Sequence, residues 1–139
     1  MKIHEIEIRV RYPECDPMGF AHHGVYATWF EMGRSEMLRQ SGVSYKELEE
    51  RGELLPVVDL HIRYKKPARY DEVLRLRSTM AEVTRAKIVF EYELLRGEML
   101  LATGKTVNAC IDREGKLRSI PDVIFDAFEV EKQRKAGGR

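Results

Sequence analysis

Apolar and polar side chains alternate with a period of two at the start of the chain. Ile3, Glu5, Glu7, Arg9 and Arg11 share one parity, and His4, Ile6, Ile8, Val10 and Tyr12 the other. This pattern predicts a half-buried strand, stopped by Pro13 and by the Pro17-Met18-Gly19 turn. From about Gly24 to Gln40 the period changes. Tyr26, Trp29, Phe30, Gly33 and Met37 recur at three and four, with Glu31, Arg34, Ser35 and Arg39 on other faces, so the spacing predicts a long helix. Trp29 is the sole tryptophan, which puts this helix at the centre of the core. Gly33 costs such a helix about 1 kcal/mol against Ala, a loss that close approach to a sheet would offset. Ser41-Gly42 reads as its stop. Ser44 as N-cap and Glu47 as its capping-box partner open a short second helix, closed by Gly52.

The period then returns to that of strands. Residues 54–66, 73–83, 87–95 and 99–111 are rich in Val, Ile, Leu, Tyr and Thr, and short polar segments around Arg85, Gly97 and Gly115 separate or end them. Spacing this close suggests antiparallel meander pairing. Ile120-Pro121-Asp122 opens a C-terminal helix to about Val130, with Asp122 suited to its dipole. Residues 1–131 read as a single domain, and 132–139 as a charged, frayed tail. A long, nearly all-round apolar helix with several long strands is an α+β domain. The economical packing is a curved antiparallel sheet wrapped around the helix.

Composition narrows the function classes. A chain of 139 residues with 43% hydrophobic and 34% charged residues can build one proper core. Its net charge of +1 gives no field favouring nucleic acid or an acidic membrane. No apolar run approaches the roughly 20 residues that cross a bilayer. The first seven residues lack a signal-peptide core, so the expected compartment is the cytoplasm. Cys15 and Cys110 form no CxxC pair and read as buried free thiols.

The chemistry concentrates in residues 12–24, between the first strand and the long helix. Two carboxylates, two histidines, a tyrosine and two glycines fall there, in the kind of loop that carries active sites. Asp16 admits two compatible readings. Asp16-Pro17-Met18-Gly19 has the residue preferences of a type I turn, and a rigid turn would also hold a working carboxylate still. Glu14 reads as a surface carboxylate able to pair with His23. Adjacent His22 and His23 do not share a face, and His4 and His61 fall in predicted strands, so no metal site is expected. Glu31 and Arg34 have the spacing of a structural ion pair. Arg63, Lys65, Lys66 and Arg69 form a local basic run, either a solvated sheet face or a phosphate contact.

Tyr12-x-Glu14-x-Asp16-x-x-Gly19, then His23, then a helix with Tyr26, Phe30, Glu31 and Arg34, resembles the hotdog-fold acyl-CoA thioesterases. The closest branch is the 4-hydroxybenzoyl-CoA thioesterase family, including its Tol-Pal-associated short-chain members. Tyr64-x-Lys66-Pro67-Ala68-Arg69-Tyr70-Asp71-Glu72, Ala102-Thr103-Gly104 and Ile120-Pro121 agree in order along nearly the whole chain. The resemblance implies a hotdog fold, a homodimer or homotetramer with active sites at the dimer interface, and hydrolysis of a short-chain or aromatic acyl-CoA without a cofactor. It assigns catalysis to Asp16, as general base or nucleophile, and to the backbone amide near His23, whose side chain orients substrate or water. It offers Arg85 and Lys87 as contacts for the CoA phosphates; beside it, Tyr12, Gly19 and Tyr26 are candidate substrate contacts that also have packing or turn roles, and Arg63 and Lys66 of the basic run are candidate phosphate contacts. Two other functions stay open: a non-catalytic acyl-CoA or acyl-carrier-protein binding module, and a hotdog dehydratase.

Overall fold

The computed structural model of the chain describes residues 3–137, with side chains as far as Glu129. The alternating N-terminal segment forms β1 (Ile3–Arg9), and the three-and-four pattern forms helix α1 (Val25–Gln40). Helix α2 (Tyr45–Glu50) follows, with Ser44 Oγ accepting from the Glu47 N–H at 3.3 Å as the capping box predicts. Four long strands come next: β2 (Val57–Tyr64), β3 (Val73–Val83), β4 (Ile88–Arg96) and β5 (Met99–Asn108). A small hairpin, β6 (Cys110–Ile111) and β7 (Leu117–Arg118), leads to helix α3 (Asp122–Gly137). That helix continues past Val130, because Glu, Lys, Gln, Arg and Ala favour helix. The last two residues of the expected tail, Gly138 and Arg139, lie outside the described residues.

Among the described residues, five strands form one antiparallel sheet in the order β1-β3-β4-β5-β2. β3, β4 and β5 form the expected meander, but β2 pairs with β5 rather than with β3. Residues 65–72 are too long for a hairpin turn and are held elsewhere. The Ala68 carbonyl accepts from Ala21 N–H (2.8 Å), and Asp71 N–H donates to the Val10 carbonyl (2.9 Å). The chain thus crosses from β2 at one sheet edge to β3, which lies between β1 and β4, and β2 is left as an edge strand. Along it Val58, Leu60 and Tyr64 are exposed.

The sheet curves around α1, whose Tyr26, Trp29, Phe30, Met37 and Leu38 are buried against Leu74, Leu76, Phe90 and Leu94. Each such side chain contributes about 1.5–3 kcal/mol when fully buried. Gly33 makes the close approach possible. A Cβ there would lie 2.5 Å from Ser78 Oγ and 2.7 Å from Leu76 Cδ2. Arg34 corrects the ion-pair expectation. It is 7% exposed and Nη1 reaches Tyr92 Oη at 3.5 Å, while Glu31 faces solvent, and no Glu31–Arg34 ion pair forms among the described residues. Arg34 lies one helical turn from Phe30 and Leu38, so the buried stripe carries it inward.

Candidate active site

The loop between β1 and α1 is a small hairpin rather than an open coil. After a single 3-10 turn (Tyr12–Glu14), the chain folds back so that His22 N–H donates to the Glu14 carbonyl (2.9 Å), Cys15 bridges Ala21, and Asp16 N–H donates to the Phe20 carbonyl (2.8 Å). Asp16 closes the turn. Its carbonyl accepts from Gly19 N–H (3.0 Å), and its Oδ1 accepts from Met18 N–H (2.9 Å) and Phe20 N–H (3.1 Å). Gly19 has φ +83°, a conformation that costs a residue with a Cβ but not glycine. Oδ2 of Asp16 has no protein partner among the described residues. One carboxylate oxygen therefore fastens the turn while the other stays available.

The returning arm runs straight into α1. Val25 N–H bonds the His22 carbonyl (3.1 Å), Gly24 is the N-cap, and no side chain caps the helix. The first amides of an uncapped helix carry its positive dipole end and lack intrahelical acceptors. Tyr64, at the end of β2, donates its hydroxyl to the His23 carbonyl at 2.6 Å and meets Tyr26 edge-on at 4.9 Å. Burial raises the Tyr64 phenol above its ordinary pKa, which keeps it a donor. Ala21, His23, Tyr26, Tyr64, Lys65, Lys66 and Pro67 line an open cleft of about 310 Å³ at this corner.

Glu14 corrects the sequence expectation most sharply. It is 6% exposed and does not pair with His23. Its Oε1 accepts from Arg11 N–H (2.8 Å), and its Oε2 from Trp29 Nε1–H (3.1 Å) and Arg11 Nη2 (3.2 Å). Burial by itself would raise the Glu14 pKa, but the Arg11 and Trp29 hydrogen bonds outweigh it and hold the carboxyl below its ordinary value. The signal was Trp29, since a buried indole N–H calls for an acceptor. Cys15 is half-buried, and burial together with the Asp16 and Glu14 charges raises its thiol pKa, which leaves a poor nucleophile next to Asp16.

The sequence-derived site residues are thus partly gathered. His23, Tyr26 and Lys66 line the cleft, whereas Asp16 and Gly19 form the turn of the adjoining hairpin and are not among its lining residues. Tyr12 is 77% exposed, packs edge-on against Tyr70 and does not line the cleft. Arg63 is exposed on edge strand β2. Arg85 and Lys87 lie at the β3–β4 turn, roughly 30 Å along β3 from the Asp16 corner at about 3.3 Å per residue. Arg85 is engaged there, donating to Asp122 Oδ1 (2.8 Å) and lying over the Phe125 ring at 4.4 Å. Sequence reasoning missed Tyr64 as a contact to the helix start, although it opens the Tyr64-x-Lys66-Pro67-Ala68 segment. It also missed the Arg96–Glu72 pair (3.0 Å), which braces the loop that docks on Ala21.

Comparison with known proteins gives the family and the fold. Residues 18–103 match the family model described as the thioesterase superfamily. The acyl-CoA thioesterase YbgC of Haemophilus influenzae is 33% identical over 124 residues, covering 87% of this chain and 90% of that protein. The acyl-CoA thioester hydrolase YbgC of Escherichia coli O157:H7 is 27% identical over 124 residues, covering 88% and 92%. The crystal structure of a DHNA-CoA thioesterase from Staphylococcus aureus aligns with a TM-score of 0.88 at 32% identity, covering 100% of this chain and 97% of that one.

Proposed function

Because the chain belongs to the thioesterase superfamily, we propose that it is an acyl-CoA thioesterase whose working carboxylate is Asp16. Water adds to the thioester carbonyl, the C–S bond breaks, and CoA leaves as the thiol beside a free carboxylic acid. One observation carries this reading: Asp16 ties Oδ1 into the turn and keeps Oδ2 free, two residues from the Glu14–His22 pair that leads into α1. The free oxygen serves as base toward water or as nucleophile. The N–H groups at the start of α1, near His23, polarise the carbonyl oxygen, the role an oxyanion hole plays. Tyr26, Tyr64 and Pro67 offer an apolar, aromatic wall in a small cleft, which suits a short-chain or aromatic acyl group.

We further propose that two copies complete the site. β2 is an edge strand with Val57 (39% exposed), Val58 (61%), Leu60 (44%) and Tyr64 (46%) uncovered, and such an edge invites strand pairing. Antiparallel pairing of two β2 strands would set the Val57 end of one copy beside the Tyr64 end of the other. Val57 pairs with Asn108, which pairs with Ile88, next to Lys87. The Arg85–Lys87 turn of the second copy would then approach the first copy's cleft, where Lys66 already lies, and together they could meet the CoA phosphates. No described helix is long and apolar enough to cross a membrane. Free cysteines and a CoA substrate favour the cytoplasm.

A free-thiol assay over a panel of acyl-CoAs tests the activity. CoA release by the native chain, lost in Asp16→Asn, is the expected result. Tight acyl-CoA binding without release would make this a binding module, and hydration of an enoyl-CoA without thiol release would make it a dehydratase. Native mass and a Leu60→Lys variant test assembly: an oligomer that dissociates on substitution is expected, and a native monomer contradicts it.

A further inference from the structure

Glu14 is a buried carboxylate at the base of a hairpin whose tip is open to solvent. A charged group 6% exposed must find donors for its oxygens, and Glu14 finds them on two different elements. The Arg11 amide and guanidinium come from the end of the β1 segment, and the indole N–H of Trp29 comes from the second turn of α1. Its backbone carbonyl meanwhile receives the His22 N–H from the returning arm. Three segments therefore meet at one residue. The outgoing arm carries Asp16 two positions later, and the returning arm delivers His23 and the first amides of α1.

We infer that Glu14 is a positioning residue: acting through Trp29, it holds the Asp16 turn in a fixed frame relative to the N-terminus of α1. It rests on the thioester hydrolysis proposed for the same loop. Trp29 is 1% exposed and packed in the core, so its indole is a rigid anchor. A backbone acceptor could satisfy that indole without tying the loop to the helix, whereas the Glu14 side chain does both. Hydrolysis needs the carboxylate and the carbonyl-polarising amides at a set separation, and a displacement of about 1 Å between reacting groups can cost on the order of a hundredfold in rate. Loosening Glu14 should therefore appear in turnover rather than in substrate affinity.

Two conservative variants separate this role from simple support of the fold. Glu14→Gln keeps the shape but turns an NH2 group toward one of the two N–H-bearing partners, so one anchor is lost. Trp29→Phe keeps a ring in the core and removes only the indole N–H. Measured at a temperature where near-UV circular dichroism shows both variants folded, each should lower kcat by roughly 10- to 100-fold while KM moves less than about threefold. The double variant should be no slower than the worse single one, since either cut breaks the same Arg11–Glu14–Trp29 chain. In Glu14→Gln the emission of Trp29, the sole tryptophan, should shift as its partner changes. If Glu14→Gln does not fold, Trp29→Phe alone decides. Variants with kcat within about twofold of native, a loss confined to KM, or additive losses in the double variant would overturn the inference. Asp16→Asn run alongside tells two failures apart. An active Asp16→Asn sinks the hydrolytic role of Asp16 itself, whereas an inactive Asp16→Asn beside fully active Glu14→Gln and Trp29→Phe sinks only the role of Glu14.

Discussion

On the hydrolytic reading Asp16 has a structural and a chemical job, and comparing its Ala and Asn variants isolates the structural one. In the native turn Oδ1 accepts from Met18 N–H at 2.9 Å and Phe20 N–H at 3.1 Å. Asp16→Ala removes both acceptors. Each hydrogen bond contributes about 0.5–1.5 kcal/mol net, so the loss should be roughly 1–3 kcal/mol. For a domain of this size that lowers Tm by roughly 4–12 °C. Asp16→Asn keeps an oxygen at Oδ1 and should retain the turn, with a loss below about 1 kcal/mol from the missing charge. Thermal and urea unfolding of the native chain and both variants, followed by circular dichroism, measures the difference. Equal destabilisation by Asn and Ala, or none by either, would refute the turn geometry and with it the free state of Oδ2.

Three further outcomes follow from contacts near the site. Gly33→Ala gains about 1 kcal/mol of helix propensity but forces a Cβ to within 2.5 Å of Ser78 Oγ, and overpacking of this kind costs about 1–3 kcal/mol, so the urea midpoint should fall. A raised midpoint would contradict the close approach of α1 to β3. Tyr64→Phe removes the 2.6 Å bond to the His23 carbonyl, and should cost about 0.5–1.5 kcal/mol of stability and lower kcat more than it alters KM; an unchanged kcat would detach Tyr64 from the helix start. Glu14 titrates below its ordinary value of 4.5, so its contribution to stability is fully present above that pH and is lost as pH falls through the lower folded pKa. An acid titration of Trp29 emission should therefore have its midpoint below pH 4.5, and a midpoint above it would mean that burial outweighs the Arg11 and Trp29 donors.

The local elements were legible because their signals are local. The switch of period from two to three-and-four marks β1 and α1, Ser44 with Glu47 marks the start of α2, and Gly33 in an apolar stripe marks the contact with the sheet. The Asp16 turn was legible for the same reason, as Asp16, Pro17 and Gly19 each carry a turn preference. Strand order was not, since the pairing of β2 with β5 brings together residues some forty positions apart, and nothing in β2 itself names its neighbour. Charged residues were the least legible. Glu14 and Arg34 look like surface groups by type, yet one is drawn inward by the Trp29 indole and the other by its place on the buried stripe. Arg85 looks unpaired by type, yet Asp122 and Phe125 of the C-terminal helix, the first of them 37 positions later, engage it.

The most direct measurement is the steady-state rate of CoA release by the native chain and by Asp16→Asn, using the acyl-CoA the native protein hydrolyses fastest. Since the Asn side chain keeps the turn, any loss belongs to the free carboxylate oxygen. If Asp16 acts as base or nucleophile, kcat should fall by about 10²–10⁴-fold while Tm shifts by only a few degrees. A folded Asp16→Asn variant that releases CoA within about threefold of the native rate would show that the carboxylate does no chemistry, and would leave the loop as a turn.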